Sequence, residues 1–157
     1  MQKAWNIPSM PVYSLASYNE NSVNMNICTY VTPVSMRPKL YAIGIYENTQ
    51  TLLNIENSDF AVLQLLHISQ SYLIKKLGQT SGKTYNKQQY LEKKNELEKW
   101  MDFQVLRNTS ARFLLHKIDH LTTGDHTVYI FKVDKSVAFN KDYLHLNILR
   151  DKKIIRA

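Results

Sequence analysis

The sequence predicts a mainly β protein, an antiparallel barrel with a few peripheral helices. Three observations carry this. Roughly seven β-rich runs are bounded by turn residues. Strand and helix do not alternate in the way that builds a parallel sheet. Only four glycines are present (Gly44, Gly78, Gly82 and Gly124), so no Gly-rich dinucleotide fingerprint opens a doubly wound fold. The 157 residues, 44% of them hydrophobic, fit a single domain, taken as 1–157, with a core of its own.

The elements follow in order. Residues 11–18, PVYSLASY, read as a first strand opened by Pro at its permitted first position. NENSVN (19–24) is turn chemistry. MNICTYV (25–31) and KLYAIGIY (39–46) are strands that flank a proline-rich stretch. Proline lacks an N–H and fixes φ, so Pro33 and Pro38 are expected to take this stretch out of the sheet as a bend. A short helix starts near residue 49, capped by Asn48 or Thr49. FAVLQLL (60–66) is continuously apolar, as a buried strand is. Two helices around a Gly-containing loop fill residues 68–101, the second capped by Asn86 and carrying a thin stripe of Tyr90, Leu97 and Trp100 or Met101. Residues 111–121, 126–139 and 143–149 complete the strands, the first two joined by TTGD.

Composition narrows the function. The formal net charge is +7, but the lysines are spread along the chain and no nucleic-acid motif accompanies them. The densest basic block, KKNELEK (93–99), is interleaved with Glu96 and Glu98 and reads as a solvated face. A basic module for RNA or DNA is therefore the third-ranked reading, behind an anionic small ligand. No apolar run reaches the ~18 residues of a membrane span, and the first residues lack the apolar core of a secretory signal. Cys28 is the only cysteine, which makes a reducing cytoplasm the default location. His116 and His120, four apart on a strand, are expected to share a face, but no Cys/His cluster supports a metal site. No GxSxG elbow is present, and Cys28 has no base beside it in the sequence.

What remains is a set of polar turns at element ends. The first is Thr29 to Ser35. The second is NTQT (48–51), where Asn48, Thr49, Gln50 and Thr51 combine hydroxyls with the unpaired N–H groups of a helix start, a setting for an anion. The third, GQTSGKTYNK (78–87), offers Ser81, Lys83 and Lys87. The fourth, TTGDH (122–126), puts His126 at the mouth of a strand.

Together and in this order these stretches resemble the flavin reductase-like family, whose fold is a split barrel that binds FMN. The resemblance is carried by CTYVTPVSMRPKL, TQTLLNIENSDFAVLQL, LGQTSGKTYNK and GDHTVYIFKV, and spans about residues 10 to 153. It implies that backbone groups near Cys28, Thr29 and Tyr30, with the Ser35 hydroxyl, bond the polar edge of the isoalloxazine ring. Asn26 stands where family members often touch that ring. The helix start at 48–51 would hold the phosphate, with Ser81 nearby and Lys87 as counter-charge. His126 would sit close to the flavin, where the nicotinamide of NADH or NADPH stacks. A homodimer is implied as well, since the family builds its site beside the subunit interface. The expected function is an FMN-binding oxidoreductase that reduces flavin with NAD(P)H; the alternative is an FMN-binding carrier or sensor without NAD(P)H turnover.

Overall fold

Seven strands form one antiparallel sheet: β1 (Tyr13–Tyr18), β2 (Val23–Met25), β3 (Val31–Met36), β4 (Lys39–Tyr46), β5 (Phe60–Leu65), β8 (Ala111–Thr122) and β9 (His126–Ala138). The order across the sheet is β2-β1-β5-β8-β9-β4-β3. A separate hairpin pairs β6 (Leu97–Trp100) with β7 (Phe103–Leu106). Among the described residues, four helices complete the fold: α1 (Gln50–Glu56), α2 (Ile74–Gly78), α3 (Lys87–Lys93) and α4 (Leu146–Asp151), with short 3-10 turns at Ala4–Asn6 and Ile68–Leu73. The structure is a computed structural model and describes residues 3–156.

The hydrogen-bonded ladder is open. Its two edges, β2 and β3, are nonetheless consecutive in the chain, separated by residues 26–30 alone. Seven flat strands would hold the edges about 29 Å apart, at ~4.8 Å per strand. The linking stretch spans about 21 Å at most. The sheet must therefore curl. Along the link, Cys28 pairs its N–H and C=O with Tyr13 of β1, while the Tyr30 carbonyl accepts from Gly44 N–H of β4.

The curl buries residues on both faces. Leu15, Ile43, Leu63, Leu115 and Phe131 fill one side, with Ile55 of α1. Val12, Ala16, Val62 and Leu114 face the other, beneath Leu77 of α2, Leu91 of α3, Val105 of β7 and Leu149 of α4. Successive side chains of β5 thus alternate between two cores, which is why its sequence is continuously apolar. Burying each such Leu or Val contributes about 1.5–3 kcal/mol.

Four expectations are corrected. The proline-rich stretch does not leave the sheet. Residues 31–36 are the edge strand β3, with Pro33 opposite Tyr41 and a register shift between Pro33 and Ser35. Edge strands and bulges are where a missing N–H does no harm. The helix expected to run from 86 toward 101 ends at Lys93. Asn95 turns to φ 53°, and Leu97 and Trp100, which follow Tyr90 in the supposed stripe, belong to β6. Residues 143–149 are not a strand. Leu144 is held by Val12 and Leu66, and α4 begins at Leu146, where Ser9 Oγ accepts from Asn147 N–H. Lastly, a bulge between Lys117 and Asp119 pairs His116 with Lys132 but His120 with Tyr129, so the two histidines lie on opposite faces.

Candidate functional site

The link between the sheet edges forms one wall of a cavity of about 660 Å³. Opposite it lie the end of β4, the turn into α1, and the α2–α3 loop. The packing of that loop is set by two glycines. A Cβ on Gly78 would meet Ile27 side-chain atoms at 3.1 Å, and one on Gly82 would lie 2.2 Å from Asn24 Oδ1. Close approach, and not backbone conformation, favours glycine at both.

A buried amide network fixes the start of α1. Asn24 Nδ2 donates to Thr51 Oγ1 (3.0 Å), Gln50 Nε2 to Asn54 Oδ1 (2.8 Å), and Asn54 Nδ2 to Ser17 Oγ (3.1 Å). Thr49 is the N-cap. Its hydroxyl accepts from Leu52 N–H and donates to the Tyr46 carbonyl, so both of its roles are filled. Thr51 accepts from Asn24 and keeps its own proton to give. Asn48 adopts φ 57°, a conformation that Asn tolerates well.

Among the described residues, Lys87 is the only lysine or arginine that lines the cavity, and it is 6% exposed. Its Nζ donates to the Leu77 carbonyl at 2.7 Å. Burial pulls its pKa down to about 8 from 10.5. An anion in the cavity would compensate this lost hydration.

At the other end, His126 lies between Tyr30 and Tyr46, with ring centroids 5.0 and 5.2 Å away. Its Nδ1 is 2.6 Å from Asp125 Oδ1, and that contact holds the Asp125 carboxyl below its ordinary value. Gly44 lies beneath: a Cβ there would stand 3.3 Å from Tyr30 Cβ and 3.6 Å from His126 Cδ2. Beyond Tyr30 and His126 opens a second cavity of about 470 Å³, which shares Thr29, Tyr30, Gly44 and His126 with the first.

The residues expected at the site from sequence are largely brought together. Asn26, Cys28, Thr29 and Tyr30 line the first cavity from the link. Asn48, Thr49, Gln50 and Thr51 line it from the α1 start, and Ser81, Lys87 and His126 close it. Ser35 is not among them. It sits on β3 opposite Leu40, five residues past Tyr30. Some groups are already engaged: Cys28 spends its backbone on Tyr13, and Asn26 Oδ1 accepts from Leu15 N–H at 2.8 Å. Burial also pushes the Cys28 thiol up to about 12, so it stays protonated. Sequence reasoning passed over Asn24, which it read as turn chemistry, and Tyr46. Their roles depend on the pairing of β2 with β1 and of β4 with β9, which no local pattern encodes.

A model of the flavin reductase like domain matches residues 8–148. The chain belongs to the flavin reductase-like family. Solved structures with this fold agree. The FMN-binding protein from Thermus thermophilus, solved with bound 1-cyclohex-2-enone, is 18% identical over 88% of this chain and 75% of its own, with a TM-score of 0.78. The flavin reductase PheA2 is 18% identical over 91% of this chain and 88% of its own, at 0.76. Flavoredoxin from Methanosarcina acetivorans is 14% identical over 93% and 85%, at 0.79. A comparison with curated proteins gives no match. Among the described residues of this flavin reductase-like chain, no helix is long and apolar enough to cross a membrane, and no cluster of His, Cys, Asp or Glu is built for a metal ion.

Proposed function

We propose that this chain binds FMN in the first cavity and acts as an oxidoreductase that reduces the flavin with NADH or NADPH. One observation carries the reading: the cavity joins a buried ammonium to a wall of backbone and aromatic groups. Lys87 lines a cavity in which, among the described residues, Glu47 is the only carboxylate. A phosphate monoester is the kind of group that offsets its desolvation. The Thr51 and Ser81 hydroxyls, with the N–H groups of Gln50 and Thr51, are the further donors for it. Gly78 and Gly82 let the loop lie close against Ile27 and Asn24. The cavity volume falls in the range usual for cofactor-sized ligands.

Thr29 and the Tyr30 N–H are the backbone groups left free to meet the polar edge of the ring. His126, anchored by Asp125, stands beside them as the side chain best placed to orient a second reactant. The flavin, when bound, supplies the hydride chemistry; the protein supplies position and exclusion of water. The reading includes a curled sheet of split-barrel form, one domain over 1–157, a cytoplasmic setting and a homodimer.

A second reading, FMN binding without NAD(P)H turnover, is favoured by the second cavity, whose lining contains no lysine or arginine to receive the phosphates of a dinucleotide. Absorbance decides between them. Purified protein should be yellow, or take up FMN on titration, and bleach rapidly with NADH or NADPH under anaerobic conditions. Tight FMN without bleaching selects the second reading, and no FMN uptake rejects both.

A further inference from the structure

Lys87 is set apart from the other lysines by its surroundings. It is buried yet lines the first cavity, where its Nζ donates to the Leu77 carbonyl at 2.7 Å. Among the described residues no carboxylate pairs with it: the ion pairs involve Glu98, Asp125 and Asp134 with other partners. A buried ammonium that lacks a countercharge gives up its proton more easily than a solvated one. With its pKa drawn down by burial to about 8, about a quarter of Lys87 is neutral amine near pH 7.5, against about one in a thousand for a solvated lysine.

That amine is open to reaction. Once deprotonated, Nζ has two N–H bonds and a lone pair; one N–H serves the Leu77 carbonyl and the lone pair is a nucleophile. In the same cavity the Thr51 hydroxyl accepts from Asn24 Nδ2, and the Ser81 hydroxyl accepts from Lys83 N–H at 3.2 Å. Each keeps its own proton to give, and such protons suit the oxygens of a phosphate. An electrophile that carries a phosphate is therefore gathered into the cavity that holds the amine.

We infer that Lys87 is a modification site, acylated in the FMN-free chain by a small acyl phosphate, the mixed anhydride of a carboxylic acid and phosphoric acid. The Nζ lone pair attacks the acyl carbon and forms the N–C bond. The bond from that carbon to the bridging oxygen breaks, and its electron pair leaves with the phosphate, which also takes one amine proton. The amide N–H that remains can still serve the Leu77 carbonyl, so the chain loses a charge and not that hydrogen bond. Acylation removes the ammonium that the flavin reading assigns to the FMN phosphate, and so closes the site to the cofactor. This consequence rests on the flavin reading; the reactivity of Lys87 does not.

Acetyl phosphate is the probe, and Lys83 is the internal standard: it precedes Lys87 on the α2–α3 loop, is exposed, and lines neither cavity. Peptide mass spectrometry of the FMN-free protein near pH 7.5 should show Lys87 acetylated at least about tenfold faster than Lys83, because more of it is amine. With acetic anhydride, which carries no phosphate, that preference should fall by about tenfold. FMN at a hundredfold above its dissociation constant should slow Lys87 about a hundredfold and leave Lys83 unchanged. Equal rates at the two lysines with acetyl phosphate overturn the inference, as does a preference that acetic anhydride reproduces in full. A folded chain that takes up no FMN defeats the flavin reading instead, and the rates without FMN still decide Lys87.

Discussion

Two threonines two positions apart at the start of α1 have different work to do. The Thr49 hydroxyl is used up in capping, between Leu52 N–H and the Tyr46 carbonyl. Thr49→Ala should cost about 1 kcal/mol of stability while leaving FMN affinity nearly unchanged. The Thr51 hydroxyl retains a proton to donate, so Thr51→Val should weaken FMN roughly tenfold, about 1.4 kcal/mol. Fluorescence titration with FMN and thermal melts of both variants separate the two; equal FMN losses would put the phosphate elsewhere. Lys87 gives a pH signature. Its folded pKa is about 8 and its unfolded value 10.5, so between these the unfolded chain holds more protons. Stability of the FMN-free protein should therefore rise with pH across that window as far as Lys87 contributes, and Lys87→Met should remove that part of the slope. FMN affinity should fall above about pH 8 in the wild type, because the ammonium that faces the phosphate is then lost. Matching denaturation profiles for wild type and Lys87→Met from pH 8 to 10.5 would contradict the burial of that charge.

At the scale of elements, the α2–α3 loop closes the cavity only because Gly82 lets it touch Asn24. Gly82→Ala should displace the loop, cost roughly 1–3 kcal/mol, and weaken FMN at least tenfold. Gly124→Ala is the control: a Cβ there meets nothing within 4 Å and should change neither property. Chemical denaturation and FMN titration of the pair read this directly. The loop was legible in the sequence, because LGQTSGK carries its glycines and Ser81 at a spacing that marks a turn. The same holds for α1, with its Thr cap, and for β5, whose unbroken apolar run follows from burial on two faces. Two other elements were not legible. Leu97 and Trp100 fall three apart, which a helix face and a strand hairpin both allow, and only the φ of 53° at Asn95 and 55° at Met101 decides for the hairpin. Tyr143 to Leu149 looks β-rich, yet the sheet positions beside β1 and β5 are already taken, and the segment turns into α4. Local preference lost to tertiary context in both.

For the whole molecule, exposed apolar side chains bear on assembly. Tyr72 is 54% exposed, while Tyr90 and Trp100 pack partly against the core. Met36 on β3 (84%) and Leu121 on β8 (66%) are better candidates for a subunit contact. Light scattering of the FMN-loaded protein should give twice the chain mass, and Met36→Glu with Leu121→Glu should halve it without loss of the β-sheet circular dichroism spectrum. A monomer in the wild type would end the proposal of a homodimer. The curl of the sheet has a dynamic counterpart. Because residues 26–30 both wall the first cavity and join β2 to β3, a ligand held against Thr29 and Tyr30 restrains the two margins of the ladder at once. Amide hydrogen exchange should report this. At FMN a hundredfold above its dissociation constant, binding adds about 2.7 kcal/mol of protection against openings that release the ligand, a slowing of roughly a hundredfold. That slowing should appear together at Val23–Met25 and Val31–Met36, the two strands farthest apart in hydrogen-bonding order. Protection at one margin alone would mean that the sheet breathes open at the other with the flavin still in place.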